Sequence, residues 1–309
     1  MADAEHQRAR LRDPAEHGES RLALLLCGPA LLLISAVALF PLLYTFWESL
    51  HLHDLRMPWR GRPLIGLGNY TEALADARFW GALGHTAFFA AVSVSLELVL
   101  GLALALLLQR SFAGRGFARA VALLPWAMPA VVVAILWRFL FEPGGAADAL
   151  LLQTGLLARA PAWLSDAQLS WVPIVLADVW KTTPFVALLL LAGLQAIDPA
   201  LYEAARIDGA GPLERLLHVT LPGLQPALVV ALLFRSVDAL RVFDLIYVLT
   251  AGGPGTATEP LAMYSFVALL RNLRFGYGSA LAVIVFVPTL LLALVYIRLA
   301  GSSLRQEQR

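Results

Sequence analysis

The sequence predicts an all-α integral membrane protein with six transmembrane helices, and three observations carry that prediction. Of its 309 residues, 59% are hydrophobic and only 15% charged, against roughly 45–50% and about 25% in soluble domains. Six separate runs are apolar over the roughly 20 residues needed to cross a bilayer as a helix. Within each run the apolar residues are continuous rather than alternating, which excludes a β-barrel. The mean hydropathy of +0.72 agrees. Lys and Arg (23) nearly cancel Asp and Glu (22), so nothing marks a nucleic-acid partner. The single cysteine, Cys27, allows no internal disulfide. His51 and His53 lack a third partner at metal-ligand spacing.

The first span, 22–47, is uncharged over 26 residues. A signal-peptide core is only about 7–15 residues long, so this span reads as an uncleaved anchor despite the nominal cleavage pattern Ala36-Val37-Ala38. The second, 86–108, carries Glu97 alone, an acid with no evident role. The third, 119–141, contains Pro125 and Pro129, which should kink it, because proline frees a carbonyl that a neighbouring helix must satisfy. The fourth, 171–194, holds Asp178 and Lys181 three residues apart, spaced for a structural pair. The fifth, 224–249, holds Arg235, Asp238, Arg241 and Asp244. The sixth, 280–299, is clean until Arg298. Trp80, Trp126, Trp137, Trp163, Trp171 and Trp180 lie in or near the spans, where most fit an interfacial belt.

An even number of spans puts both termini on one side. With the N-terminus inside, the cytoplasmic segments hold twelve Lys/Arg and the outer ones seven, which favours cytoplasmic termini. The chain then divides into a tail (1–21), the first span, an external loop (48–81), a membrane domain (82–300) and a second tail (301–309).

Between the fourth and fifth spans, 197–222 does not read as a simple loop. Asp198-Pro199 is an N-cap followed by proline at the first helical position. Gly209 suits a left-handed stop. Pro212 opens a second short helix, which Pro222 should end. The first helix carries Leu201, Ala204, Ala205 and Ile207 with nothing in its own loop to cover them, so it should dock into a partner.

The run Glu203-Ala204-Ala205, Asp208-Gly209-Ala210 and Leu221-Pro222 resembles the coupling loop, known as the EAA loop, of ATP-binding-cassette importer permeases. Trp180-Lys181-Thr182-Thr183-Pro184-Phe185, Tyr247-Val248-Leu249-Thr250-Ala251-Gly252-Gly253-Pro254 and Phe275-Gly276-Tyr277-Gly278 extend the resemblance to the carbohydrate-uptake branch, in the subunit related to the maltose-system permease. Residues 233–244 look most like trehalose- and maltose-type importers. The resemblance implies a type-1 importer transmembrane fold in a bacterial or archaeal cytoplasmic membrane. It implies a second homologous permease, an ATPase dimer and an external sugar-binding protein as partners, and makes 203–205, 208–210, 221 and 222 the ATPase-coupling residues. No catalytic residue is expected. The one lysine, Lys181, is not in a Gly-x-x-x-x-Gly-Lys phosphate loop, so ATP and Mg belong to the partner ATPase and this chain binds no cofactor or metal.

The span-five charges allow two readings. Alternating sign at every third residue can neutralise itself as a structural ladder, or it can form a polar wall for a solute whose hydroxyls both donate and accept. The second reading makes Arg235, Asp238, Arg241, Asp244, Tyr247, Thr250, Gly252 and Gly253 candidates for the substrate path. With Arg119 and Arg298 counted to the cytoplasmic segments, Arg138, Lys181, Arg235 and Arg241 oppose Glu97, Asp178, Asp238 and Asp244, four against four, which suits a neutral sugar better than glycerol phosphate. An ion-coupled secondary transporter would be expected to carry internal repeats, and none is visible. A membrane enzyme would need converging catalytic groups, which are absent too.

Overall fold

A computed structural model describes residues 14–306 except Leu157, with side chains from 25 to 298. The predicted tails 1–21 and 301–309 therefore fall partly outside the described residues. Four helices are each long and apolar enough to cross a membrane, α1 (Pro14–Ser49), α3 (Ala77–Gln109), α7 (Trp171–Ala196) and α13 (Phe275–Gln306). Two bent pairs raise the number to six when each pair is taken as one span: α4 (Arg115–Ala127) with α5 (Ala130–Phe141), and α9 (Pro212–Gly223) with α10 (Gln225–Leu240). Short helices α2 (Gly68–Ala75), α6 (Ala146–Gln153), α8 (Pro199–Ile207), α11 (Asp244–Leu249) and α12 (Leu261–Arg271) complete the chain. Among the described residues, β-structure is confined to the isolated bridges His51–Leu64 and Asp54–Arg274.

Several expectations are corrected. The third span is broken rather than kinked: α4 and α5 meet at 92°. Met128 is extended there and Pro129 caps α5, so the backbone leaves helical geometry outright. The fifth span does not run unbroken to 249. The Arg241 N–H turns back to the Asp238 carbonyl (3.1 Å), and α11 starts afresh at Asp244. Phe243 stacks on Tyr247 and packs at a tilt against Phe266, with centroids 5.2 and 4.9 Å away, so packing at this point takes precedence over helix continuation. Pro222 does not end its helix. A π-turn over Leu216–Thr220 precedes it, α9 runs on to Gly223, and the chain bends 68° only on entering α10. The outer segments expected to be loops contain α2, α6 and α12, and α12 buries Leu261, Met263 and Tyr264.

The core is built where α3 lies along α7. They approach closely at Gly101, where a Cβ would sit 2.6 Å from the Val186 side chain; small residues let membrane helices approach in this way. Phe89, Ile174, Ile246 and Met263 fill one cluster, and Leu190, Leu194 and Leu224 another nearer the C-terminal end of α3. Helix α1 packs chiefly along α13.

The 33 residues of α3 span about 50 Å, and its two ends carry different structures. Leu106 and Gln109 line cavities together with Tyr202 and Thr220 of the 197–223 segment. At the other end, the Arg78 guanidinium holds Glu259 through two bonds of 2.7 and 2.8 Å. There the Asn69 amide donates to the carbonyls of Ser49 (2.8 Å) and His51 (2.9 Å), and the Gly276 N–H donates to the His53 carbonyl (3.1 Å). The loops after α1 and before α13 are thus fastened into one cap.

Candidate functional site

The 197–223 segment, the candidate for coupling, is built by its caps. Asp198 accepts from the Ala200 N–H (2.8 Å), and Pro199 opens α8. At the far end the Ala210 N–H reaches back to the Ala205 carbonyl (2.9 Å) around Gly209, whose φ of +81° is the left-handed value a glycine stop supplies. Glu214 closes the next turn by accepting from the Gly211 N–H (2.7 Å). Glu203, Ala204, Asp208 and Gly209 are exposed, while Ala205 and Ala210 are half-buried. Ile207 is 86% exposed and Leu201 54%, so the helix shows its apolar side to the outside, as its sequence predicts. Leu221 is half-buried and Pro222 exposed. The structure therefore brings the candidate coupling residues together at one end of the bundle.

The second site is a cavity of about 180 Å³ among α3, α5, α7, α10 and α11. Arg235, Asp238, Arg241 and Asp244 line it from the fifth span, and Asp178, Lys181 and Thr182 from the fourth. Tyr247, Thr250, Gly252 and Gly253 do not line it. Tyr247 is sandwiched near Phe243 and Phe266 and accepts from Arg271 (3.1 Å). The Thr250 hydroxyl bonds that of Thr258 (2.8 Å), and the Gly253 N–H returns to the Thr250 carbonyl (3.0 Å), which closes a turn on itself.

The charges pair differently from the ladder. Arg235 is only 3% exposed and meets three carboxylates: Glu97 through two prongs, Asp178 at 3.1 Å and Asp238 at 2.6 Å. Only the last is its own i, i+3 neighbour. The expected Asp178–Lys181 pair does not form, and among the described residues Lys181 makes no ion pair. Because the helix breaks at Arg241, Asp244 starts a new helix and is not the next rung. Sequence reasoning missed Glu97, Asp178, Lys181 and Thr182 as site residues. The available signal was Glu97 itself, since an acid in an otherwise uncharged span demands a partner.

Chemically, the cavity lining offers three carboxylates and three cations with the Thr182 hydroxyl between them, a near-neutral surface rich in donors and acceptors. Its volume lies below the roughly 300–1,000 Å³ of typical ligand pockets, so a solute larger than one small ring requires it to widen. Among the described residues no cluster of His, Cys, Asp and Glu is arranged to hold a metal ion.

Residues 97–304 match the family described as "Binding-protein-dependent transport system inner membrane component". The trehalose/maltose transport system permease protein MalF of Thermococcus litoralis is 43% identical, over 93% of this chain and 96% of that protein. The trehalose transport system permease protein SugA of Mycobacterium tuberculosis is 40% identical, over 94% and 92%. The sulfoquinovosyl glycerol transport system permease protein SmoG of Agrobacterium fabrum is 39% identical, over 91% of each chain. Among solved structures, a chain of a bacterial ABC transporter involved in the import of alginate superposes with a TM-score of 0.78 over 93% of this chain and 98% of that one; at 21% identity this speaks for the fold alone. The cap, the broken spans and the exposed helix α8 thus sit in an importer subunit, and the chain belongs to the binding-protein-dependent transport system inner membrane components, the permeases of ATP-binding-cassette importers.

Proposed function

We propose that this chain is the permease subunit through which an ATP-driven importer moves an α-linked glucose disaccharide, trehalose first and maltose second, into the cell. The observation that carries the cargo is the 43% identity to a trehalose/maltose permease over nearly the whole of both chains. The balanced charge of the cavity supports a neutral polyhydroxylated solute, because a phosphorylated or sulfonated cargo calls for a net cationic path. The relative named for sulfoquinovosyl glycerol makes an anionic sugar the rival cargo.

In this reading Glu203, Ala204, Ala205, Asp208, Gly209, Ala210, Leu221 and Pro222 seat the partner ATPase, which holds ATP and Mg. This chain holds no cofactor. Arg235, Asp238, Arg241 and Asp244 face the solute. A second permease completes the path, and an external binding protein delivers the cargo at the capped end. Helix α1 ends and α13 begins at that cap, and the two pack along each other, which supports termini on the side away from the cap.

The test is ATP hydrolysis by the reconstituted complex with its binding protein. Stimulation by trehalose or maltose is expected. Stimulation by glycerol phosphate or sulfoquinovosyl glycerol, with no response to either disaccharide, overturns the cargo assignment.

A further inference from the structure

We propose that Glu97 is a positioning residue for the solute cavity, acting through Arg235 and Thr182. The inference rests on the cavity's being part of the solute path. Glu97 is fully buried and does not line the cavity. It nevertheless accepts hydrogen bonds from both Nε and Nη2 of Arg235, and it lies 2.6 Å from the Thr182 hydroxyl, which it shares with the Asp178 carbonyl at 2.7 Å. Arg235 and Thr182 both line the cavity. One carboxylate on α3 thereby fixes a cation on α10 and a hydroxyl on α7.

Neutralising Arg235 does not require Glu97, because the exposed Asp238 carboxylate already meets it at 2.6 Å. An apolar residue at position 97 would pack α3 on α7 without burying a charge, and burying a third carboxylate at span depth is unfavourable. Geometry is what Glu97 adds. A guanidinium bound along its Nε–Nη2 edge is held in a fixed plane, which leaves Nη1 to meet a single Asp238 oxygen at 2.6 Å. The other Asp238 oxygen and the Lys181 ammonium are left to face the solute. Without Glu97, Arg235 is free to swing into the cavity and take both Asp238 oxygens, removing the acceptor a sugar hydroxyl would use.

The experiment uses the complete complex with its second permease, ATPase and binding protein, and compares Glu97→Gln, Glu97→Asp and Thr182→Val with the wild type. Uptake is measured with trehalose, maltose and sulfoquinovosyl glycerol as separate probes. For Glu97→Gln the ratio between the probes is expected to shift about tenfold, the size of one charge-assisted hydrogen bond. Thr182→Val removes the hydroxyl that Glu97 shares with the Asp178 carbonyl but no charge, so it should shift the ratio in the same direction by less. Glu97→Asp should recover part of the effect. A Glu97→Gln complex in which every probe falls in proportion to complex yield, with an unchanged ratio, overturns the proposal, since that is what a purely structural acid gives. An unchanged uptake overturns it as well. A wild type that transports none of the probes overturns the cargo reading alone. The positioning role is then decided by the structure of the Glu97→Gln complex: Arg235 turned into the cavity supports it, and Arg235 left in place overturns it.

Discussion

Arg78 and Glu259 lie 181 residues apart in sequence and form a two-pronged ion pair at the mouth of the bundle, with Glu259 almost completely buried and the guanidinium also 4.7 Å from the Tyr264 ring centre. The pair fastens the first turn of α3 to the turn before α12. Replacing Arg78 leaves Glu259 buried with its charge unmet, which is the costly way to break such a pair. Hydrogen bonds to charged groups contribute about 1.5–3 kcal/mol; discounted for the partly exposed arginine, Arg78→Ala is expected to destabilise the purified protein by about 1–2 kcal/mol. Thermal unfolding in detergent measures this. An unchanged midpoint would show that the cap holds without the pair.

Beside that pair, Asp76 caps α3 and accepts hydrogen bonds from the hydroxyls of Tyr264 and Tyr277, the latter at 3.1 Å. Burial pushes its carboxyl up, but Tyr264, the Arg78 N–H, Tyr277 and the Arg78 charge together hold it below the usual 3.8. A group depressed on folding stabilises above its unfolded pKa and loses that contribution as the pH falls through the folded value. The cap should therefore be insensitive to Asp76 from neutral pH down to about 4 and should loosen below it. Asp76→Asn should remove this acid-side loss while lowering stability at neutral pH. Melting curves of the two proteins between neutrality and acid read the difference, and parallel curves would assign the acid loss to other groups.

The cap and the ion cluster mark where the sequence stopped being legible. The α3 and α7 spans were readable because a long apolar run leaves few alternatives in a bilayer. The Asp198 cap and the Gly209 stop were readable because capping is local, within five residues. The break at Arg241–Phe243 was not, because the packing of Phe243 against Phe266 joins segments whose contact only the folded chain creates. The full pairing of the charges was illegible for the same reason. Spacing of three within one helix points to Asp238, which Arg235 does meet, yet Arg235 also takes Glu97 from 138 residues away. Glu97 was conspicuous in the sequence, but its partner was one of several cations.

Gly209 tests the coupling segment. Its φ of +81° is one that side chains rarely adopt, and a Cβ there would meet nothing within 4 Å, so any penalty is conformational rather than steric crowding. Left-handed backbone costs non-glycine residues about 1–2 kcal/mol, and a β-branched side chain is the least tolerant. Gly209→Val is expected to insert and assemble but to reorient α8 relative to α9. Uptake should fall at least about tenfold, a barrier change of roughly 1.4 kcal/mol, while Gly209→Asn, which tolerates this region, should stay near wild type. Normal uptake by a well-expressed Gly209→Val complex would remove Gly209 from the coupling mechanism.

Asp238 separates the two readings of the span-five charges. Its side chain is 66% exposed, and one oxygen holds Arg235 while the residue lines the cavity. Were the cluster a self-contained ladder, Asp238→Asn would unbalance it and the complex would fail to assemble. Arg235, however, retains both prongs of Glu97 and the Asp178 contact after this change. Asparagine keeps the shape and one acceptor, so assembly is expected within about twofold of wild type, as for a substitution that leaves the buried pair intact. Transport should respond differently: losing a charged acceptor for a solute hydroxyl is equivalent to about 1.5–3 kcal/mol, or roughly 10–100-fold in rate. Complex yield and disaccharide uptake, measured on the same membranes, decide between them. Loss of yield with unchanged transport per assembled complex would return Asp238 to a structural role.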